Sequence, residues 1–524
     1  MQQRTPAFCT QCRSRCGCTA LVEDGRFLGI EPLEGHPSGD KLCPKGKAAP
    51  ELVYHPDRIL RPMRRTNPKG ATDPGWQPMG WDEALDEIAA KLGGIARDHG
   101  PEQVAFSITT PSGSHMSDCI SWVERFIRAF GSPNTIYATE ICNWHKDFAS
   151  RFTYGHDIGT PDFANTDCVL LWGNNPAATW LARTGEIQKG LKRGARMIVI
   201  DPKPTIFARR ATQWLQVRPG TDQYVALGLL NLLLQDARFD HAYAARWTNG
   251  PLLVRRHTGR FLRESDIVAG GRDHIYFAHA GERGARVAYD ATRRTWDAAA
   301  GTPALRWQGE IESPYGPVAC RTAFDVLAEA ASEMTPERVA ELSGVAPRDL
   351  ANAADIIAGA KSVAYYAWNG VGQSITATQT DRAISILYAL TGSYGRAGGN
   401  VPGGAAVFGD ISGRDLISET QRAKALGLAD RPLGPGLNGW VTARDVYKAI
   451  LSGAPYPVRA LVSFGTNALV SQPDADLGRR AFTALDFHVH ADFFVNPTAA
   501  YADILFQRRH HGSARDCVRA STRA

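Results

Sequence analysis

Four cysteines near the amino terminus, Cys9, Cys12, Cys16 and Cys43, follow the spacing C-x2-C-x3-C-x26-C. Three thiolates packed into eight residues, with a fourth returning from far along the chain, suit the corners of a cubane iron–sulfur cluster. A single zinc ion is the alternative. Zinc sites usually pair their ligands as two short knuckles, whereas here the fourth cysteine stands alone, and Cys18 is a nearby spare with poorer spacing. Pro44-Lys45-Gly46 follows the last of the four. A lysine there is ordinarily a solvated surface charge, but beside a cluster a cation lowers the cost of electron arrival and binds an anionic neighbour.

Such a cluster needs a larger body to exchange electrons with, and 524 residues imply two to four domains. Residues 1–60 are rich in Cys, Gly and Pro and read as a small irregular domain organised by metal rather than by a core. Beyond them apolar runs alternate with helical periodicity. Trp81 to His99 is helical, Val104–Ile108 is a strand leading into the loop Thr109–Ser114, and Cys119–Phe130 is helical. Cys168–Trp172 is a continuous apolar strand ending in Gly173-Asn174-Asn175, Arg196–Ile200 ends at Asp201, and Trp214–Val217 leads into Arg218-Pro219-Gly220-Thr221-Asp222 and a helix. A second series holds Ser362–Ala367 before Trp368-Asn369-Gly370, a glycine-rich stretch from Gly392 to Gly404, Ala460–Phe464 before Gly465-Thr466-Asn467, and Phe487–Val489 before Ala491-Asp492. Fully apolar strands separated by helices predict parallel sheets covered on both faces, an α/β fold whose ligands lie at the strand ends. WGNNP and FGTNA echo each other, as two similar half-sites for two similar ligands would. The stretch 250–320 reads as a loop-rich insertion.

A formal charge of +6, without a basic stripe interleaved with aromatics, argues against nucleic acid and fits bound anionic cofactors. There is no signal peptide and no apolar run of membrane-spanning length, so the reading is a cytoplasmic chain without direct membrane insertion.

The motif CTQCRSRC…CPKG resembles the amino terminus of the bis-pterin molybdenum/tungsten enzymes, the dimethyl sulfoxide reductase family. The resemblance continues through WGNNP, VIDPK, RPGTD, WNGVGQ, TGSYGRAGGNV, SFGTNALVSQP and DFFVNPTAAYAD, from position 9 to about 504. It implies a 4Fe–4S domain at 1–60, a central α/β domain from 61–140 and 370–505, and a Rossmann-like domain at 141–369, both doubly wound. It also implies a molybdenum or tungsten ion chelated by two molybdopterin guanine dinucleotides. One dinucleotide would lie along Gly173, Asn174, Asn175, Asp201, Arg218, Gly220 and Asp222. The other would lie along Asn369, Gly370, Gly395, Gly399, Gly465, Asn467 and Asp492. Amides and an arginine suit pyrophosphate, and a carboxylate can accept from a guanine amino group. As single residues, Asp222 and Asp492 could equally be helix N-caps.

In this family a Ser, Cys, selenocysteine or Asp roughly a hundred residues past the last cluster cysteine ligates the metal. Cys142 falls at that interval, and a soft thiolate suits the ion. A buried structural cysteine is the bland alternative, and it is the reading for Cys119, Cys168 and Cys320. His145 is a candidate proton handler or a satisfied histidine. A cysteine ligand points to the branch holding formate dehydrogenases, thiosulfate reductases and acetylene hydratase. Asn143 stands where formate dehydrogenases carry histidine, and Arg13 where acetylene hydratase carries aspartate.

The expected activity is transfer of electrons between a small substrate at the metal and the cluster, past Lys45, with a ferredoxin-like subunit as electron partner. A non-redox hydratase-like lyase and a subunit without an active metal centre are the alternatives. The family pattern stops at Asp503-Ile504-Leu505. The arginine-rich residues 506–524 read as an aberrant tail, with the family's carboxyl-terminal barrel missing.

Overall fold

The structure, a computed structural model, describes residues 1–12, 14–36, 39, 41–108, 116–137, 139–142, 144–280, 284–297, 299, 301–403 and 409–507. Two compact units result. One joins Met1–Asn143, Ala178–Gly185 and the chain from Ala405, and the other joins Trp144–Ala177 and Glu186–Gly404. The second unit thus runs past the boundary at residue 370 expected from sequence.

The first unit begins with the antiparallel strands Gln2–Phe8, Gly17–Glu23 and Arg26–Pro32. Burial alternates along the middle strand at Cys18, Ala20 and Val22, and Ala20, Val22 and Phe27 pack on Ala49 and Val53. The expectation of an irregular amino terminus without a core is therefore corrected, because period-2 alternation gives this sheet a small apolar core.

A seven-stranded sheet forms the body of the unit, in the order Gln77–Pro78, Met63–Arg64, Ile504–Gln507, Phe487–Asp492, Ala460–Phe464, Val104–Ile108, Thr135–Tyr137. Its last five strands are parallel, and Ala460 lies level with both Phe487 and Val104. Side-chain alternation divides the core in two. Val104, Phe106, Ala460 and Val462 pack on Ala84, Leu92 and Ile127, while Ala105 and Leu461 pack on Val446, Tyr447 and Phe482. The strand Ile504–Gln507 continues past Leu505, and residues 508–524 lie outside the described residues. Strand order reverses between Val104–Ile108 and Ala460–Phe464. Such a switch point opens the ligand crevice of an open parallel sheet.

The second unit holds a four-stranded parallel sheet ordered Gln213–Leu215, Arg196–Ile200, Cys168–Trp172, Val363–Ala367. Its reversal falls between the last two strands. Both are buried along their whole length, as continuous apolar runs require when helices cover both faces. The stretch 250–320 is loop-rich, as expected, but it also carries ordered sheets. It forms two three-stranded antiparallel sheets whose strands include Leu253–Arg255, Ile275–His279 and Val318–Thr322, with a core of Leu253, Leu262, Ile275, Phe277 and Cys320. Its strands are two to five residues long, so sequence periodicity is too short to register. Among the described residues no helix is long and apolar enough to cross a membrane.

Candidate cofactor sites

Cys9 and Cys16 are buried, Cys12 and Cys43 partly so, and none of the four forms a disulfide. The backbone closes the loop with Cys9 N donating to Cys16 O at 2.8 Å. Burial, then the neighbouring thiols, push the Cys9 and Cys16 sulfurs above the ordinary thiol range, opposed by the Gln11 amide at Cys9 and by Ser14 Oγ, 3.1 Å from Cys16 Sγ. Four gathered thiols, two of them buried and hard to ionise alone, are a ready donor set for a cationic group, because metal binding removes the cost of ionising them. Cys43 precedes the short helix Pro44–Lys47, and a Cβ on its Gly46 would lie 3.3 Å from Cys9 Sγ. Glycine therefore keeps the last turn close to the sulfur. Lys45 is exposed on that helix. Among the described residues no three His, Cys, Asp or Glu side chains gather around a single-ion position.

In the second unit the two loops at the switch point touch. Gly370 N donates to Gly173 O at 3.1 Å, and Trp368 N donates to Trp172 O at 3.2 Å. A Cβ on Gly173 would come within 2.8 Å of Gly370 Cα, and one on Gly370 within 2.5 Å of Gly173 Cα. No other residue fits either position without moving backbone. The WGNNP and WNGVGQ motifs thus meet as the two lips of one crevice. Asn174 is buried and Asn175 half-buried beside them, and Asn369 Oδ1 is buried with no hydrogen-bond partner among the described residues. An orphaned acceptor at a switch point is what a ligand donor would satisfy.

The carboxyls sit on the same side. Asp222 is the first residue of the helix Asp222–Gln235, with Thr221 at the cap position, and Asp222 Oδ1 accepts from Trp172 Nε1 at 2.7 Å. Asp201 Oδ1 accepts from Lys203 N at 2.8 Å. Burial pushes both carboxyls up, and Asp201 adds repulsion at Asp222. Arg218 is exposed, tied to Leu342 O at 2.9 Å, and Gly220 forms a left-handed turn after it. Gly395 donates to Asn400 O at 2.8 Å, and Gly399 packs directly on Ser393 O.

In the first unit, Gly465 N donates to Ala491 O at 2.7 Å and Asn467 Oδ1 accepts from Thr498 Oγ1 at 3.0 Å. Asp492 ends its strand with Oδ1 accepting from Phe493 N and Oδ2 accepting from Asn496 Nδ2, each at 2.6 Å. Neither Asp222 nor Asp492 is a helix N-cap, so that alternative is overturned. Asn369, Gly370, Gly395 and Gly399 belong to the second unit, whereas Gly465, Asn467 and Asp492 belong to the first. Trp172, Asn496 and Thr498, which hold the candidate carboxylate and amide groups, went unnoticed in the sequence because tertiary contact alone reveals them.

Cys142 ends the short helix Thr139–Cys142 and is half-buried. A π-helical turn, Trp144–Ala149, follows, with Trp144 Nε1 donating to Thr378 Oγ1 at 3.0 Å. Such turns recur at functional sites. Asn143, Arg13, the loop Thr109–Ser114 and the side chains of His145 and Cys119 lie outside the described residues. Cys168 and Cys320 are fully buried, their thiols pushed up to about 12 and about 11 by burial, as inert structural cysteines should be.

A clustered four-thiol site and paired-glycine loops at the carboxyl ends of parallel sheets define a protein that holds an iron–sulfur group and a phosphate-bearing cofactor. Residues 58–506 match the molybdopterin oxidoreductase model and residues 2–55 its Fe4S4 domain model, so the chain belongs to the molybdopterin oxidoreductase family, whose cofactors are molybdopterin and a 4Fe–4S cluster. It is 36% identical over 251 residues to the thiosulfate reductase molybdopterin-containing subunit of Salmonella typhimurium, covering 47% of this chain and 32% of that one. It is 26% identical to the dopamine dehydroxylase of Eggerthella lenta over 97% of this chain and 59% of that one. In fold it is similar to acetylene hydratase from Pelobacter acetylenicus, with a TM-score of 0.75 at 22% identity, over 97% of this chain and 63% of that one. The chain thus spans less than two thirds of the length of these relatives.

Proposed function

We propose that this chain is catalytic-subunit sequence of a molybdopterin oxidoreductase, moving electrons between a small substrate and the 4Fe–4S cluster, with a ferredoxin-like protein as electron partner. The observation that carries the reading is the group of four cysteines in which Cys12 and Cys43 lie near both Cys9 and Cys16, since a cluster of this kind exists to take and give single electrons. Cys9, Cys12, Cys16 and Cys43 would hold the cluster, and Lys45 would lend positive charge beside it. Gly173, Asn174, Asn175, Asp201, Arg218, Gly220 and Asp222 would receive one guanine dinucleotide. Asn369, Gly370, Gly395, Gly399, Gly465, Asn467 and Asp492 would receive a second. The bound pterin–metal group supplies the substrate chemistry. The protein's part is to orient it: close backbone approach at Gly173 and Gly370, an acceptor at Asn369 Oδ1, and carboxylates fixed by Trp172 and Asn496.

Cys142 is the proposed protein ligand to molybdenum or tungsten, with His145 as a proton handler near it. Elemental analysis of anaerobically purified protein tests this. About four irons and one molybdenum or tungsten per chain are expected. Cys142→Ser should keep the iron while altering the metal's absorption or paramagnetic spectrum, and an unchanged spectrum refutes the ligation. A hydratase-like lyase is the second reading, favoured by 31% identity over 254 residues to acetylene hydratase of Syntrophotalea acetylenica. Turnover without any electron acceptor would select it over the oxidoreductase.

A further inference from the structure

The first unit contains a cavity of about 360 Å³ against the edge strand Thr135–Tyr137 of its sheet. It opens at the amino end of the strand Thr135–Tyr137, where Ser132, Pro133 and Thr135 line it. Gly465 and Asn467 follow the opposite, carboxyl end of the parallel strand Ala460–Phe464. Its volume lies in the range of small-molecule sites, about 300–1,000 Å³.

The cavity is built and held open by structure. Its floor is apolar, from Ile127, Ile417, Leu428 and Trp440, and the Trp440 ring stacks on Tyr137 with centroids 4.8 Å apart and planes at 21°. The covering segment is tied to the body at three points. Gln421 Nε2 donates to Gly131 O at 3.0 Å, Lys424 Nζ pairs with Glu102 at 2.7 Å, and Leu426 N donates to Asn134 Oδ1 at 3.1 Å. A recess fixed in this way loses little ordering entropy when occupied.

Its charges are arranged for an anion. Arg128, Arg414 and Arg422 all line the space, close enough that Arg414 and Arg422 repel the Arg128 guanidinium. Arg128 is spoken for: it pairs with Glu124 at 3.5 Å and donates to Ser412 O at 2.7 Å. Arg414 pairs with Asp410 at 3.3 Å in solvent. Arg422 has no carboxylate partner among the described residues, and Glu419 stands exposed at the rim. Glu124, the other carboxylate lining the space, is engaged by Arg128 and not by Arg422.

We propose that this cavity is a second small-molecule site, for a free organic carboxylate with a flat apolar body, the carboxylate on Arg422 and the body against Trp440 and Leu428. The site is independent of the pterin reading, because none of its residues belongs to the candidate cofactor loops. Guanidinium-to-carboxylate recognition at one end and apolar burial at the other make the two halves of the specificity.

Calorimetric titration of the purified full chain with benzoate and with benzylamine, the same ring carrying opposite charge, tests it. Benzoate should bind saturably and benzylamine should not. Arg422→Ala should weaken benzoate at least tenfold, with partial recovery in Arg422→Lys, and Ala423→Trp, which fills the space from an exposed position, should abolish binding. Both altered side chains are exposed, and matching thermal unfolding curves would establish that the variants fold. Absence of saturable benzoate binding, equal binding of benzylamine, or indifference to both variants would overturn the proposal. A short peptide with a free carboxyl terminus binding far more tightly than benzoate would overturn it in favour of a protein-tail site.

Discussion

The contact between Gly173 and Gly370 makes a quantitative demand. An alanine at 370 would place its Cβ 2.5, 2.9 and 3.1 Å from Gly173 Cα, O and C, all backbone atoms that cannot rotate away. Gly370 does not have positive φ, so the penalty is steric rather than conformational, unlike Gly173 at φ +53°. Overpacking a tight site costs roughly 1–3 kcal/mol. With three fixed backbone atoms inside the contact distance, Gly370→Ala belongs near about 3 kcal/mol. At a urea slope near ~3 kcal/mol/M, that lowers the denaturation midpoint by about 1 M. The loss should be local as well. Amides of Cys168–Trp172 and Val363–Ala367 should exchange faster by mass spectrometry, because the inserted methyl parts the two strands at their carboxyl ends. Gly185→Ala is the control. Gly185 lies inside the helix Leu181–Lys192 with nothing within 4 Å of its added Cβ, so alanine there should stabilise by about 0.5–1 kcal/mol. If Gly370→Ala leaves both the midpoint and the exchange of these strands unchanged, the two loops do not meet as described and the shared crevice falls.

Two other outcomes follow from single observations. Gly46→Ala puts a methyl 3.3 Å from Cys9 Sγ, so it should lower the iron content of purified protein while leaving far-ultraviolet circular dichroism unchanged; full iron loading would show that the turn has slack. Asp381 is fully buried, with Oδ1 unpartnered and Ser385 Oγ 3.4 Å from Oδ2, and burial raises its carboxyl well above the ordinary range. The folded state therefore binds a proton that the unfolded state has released. That protonation costs nothing below about pH 3.9 and costs more as pH climbs toward the folded value. Asp381→Asn should gain thermal stability relative to the parent as pH rises from 5 to 8, and parallel pH curves for the two proteins would refute the protonated carboxyl.

How far residues reveal structure depends here on the range of the interaction. The cysteine spacing, the buried apolar strands Cys168–Trp172, Arg196–Ile200 and Ala460–Phe464, and the glycine–asparagine loops after the first and last of them were all legible, because local periodicity and turn chemistry encode them. The sequence by itself also placed the helix Trp81–His99, through its apolar stripe. The weak strands between 250 and 320 escaped, since each is too short for a period to repeat.

Tertiary structure alone decided which loops meet. Nothing in the string indicates that Gly173 touches Gly370 across 197 positions, that Trp172 holds Asp222, or that Asn496 and Thr498 fix Asp492 and Asn467. Those partners are brought together by strand order, and strand order reflects the summed burial of whole faces rather than any local signal. The cavity lined by Trp440 has the same origin: its arginines lie on separate segments, and only the packing of the chain from Arg414 to Trp440 over the helix Met116–Phe130 converges them.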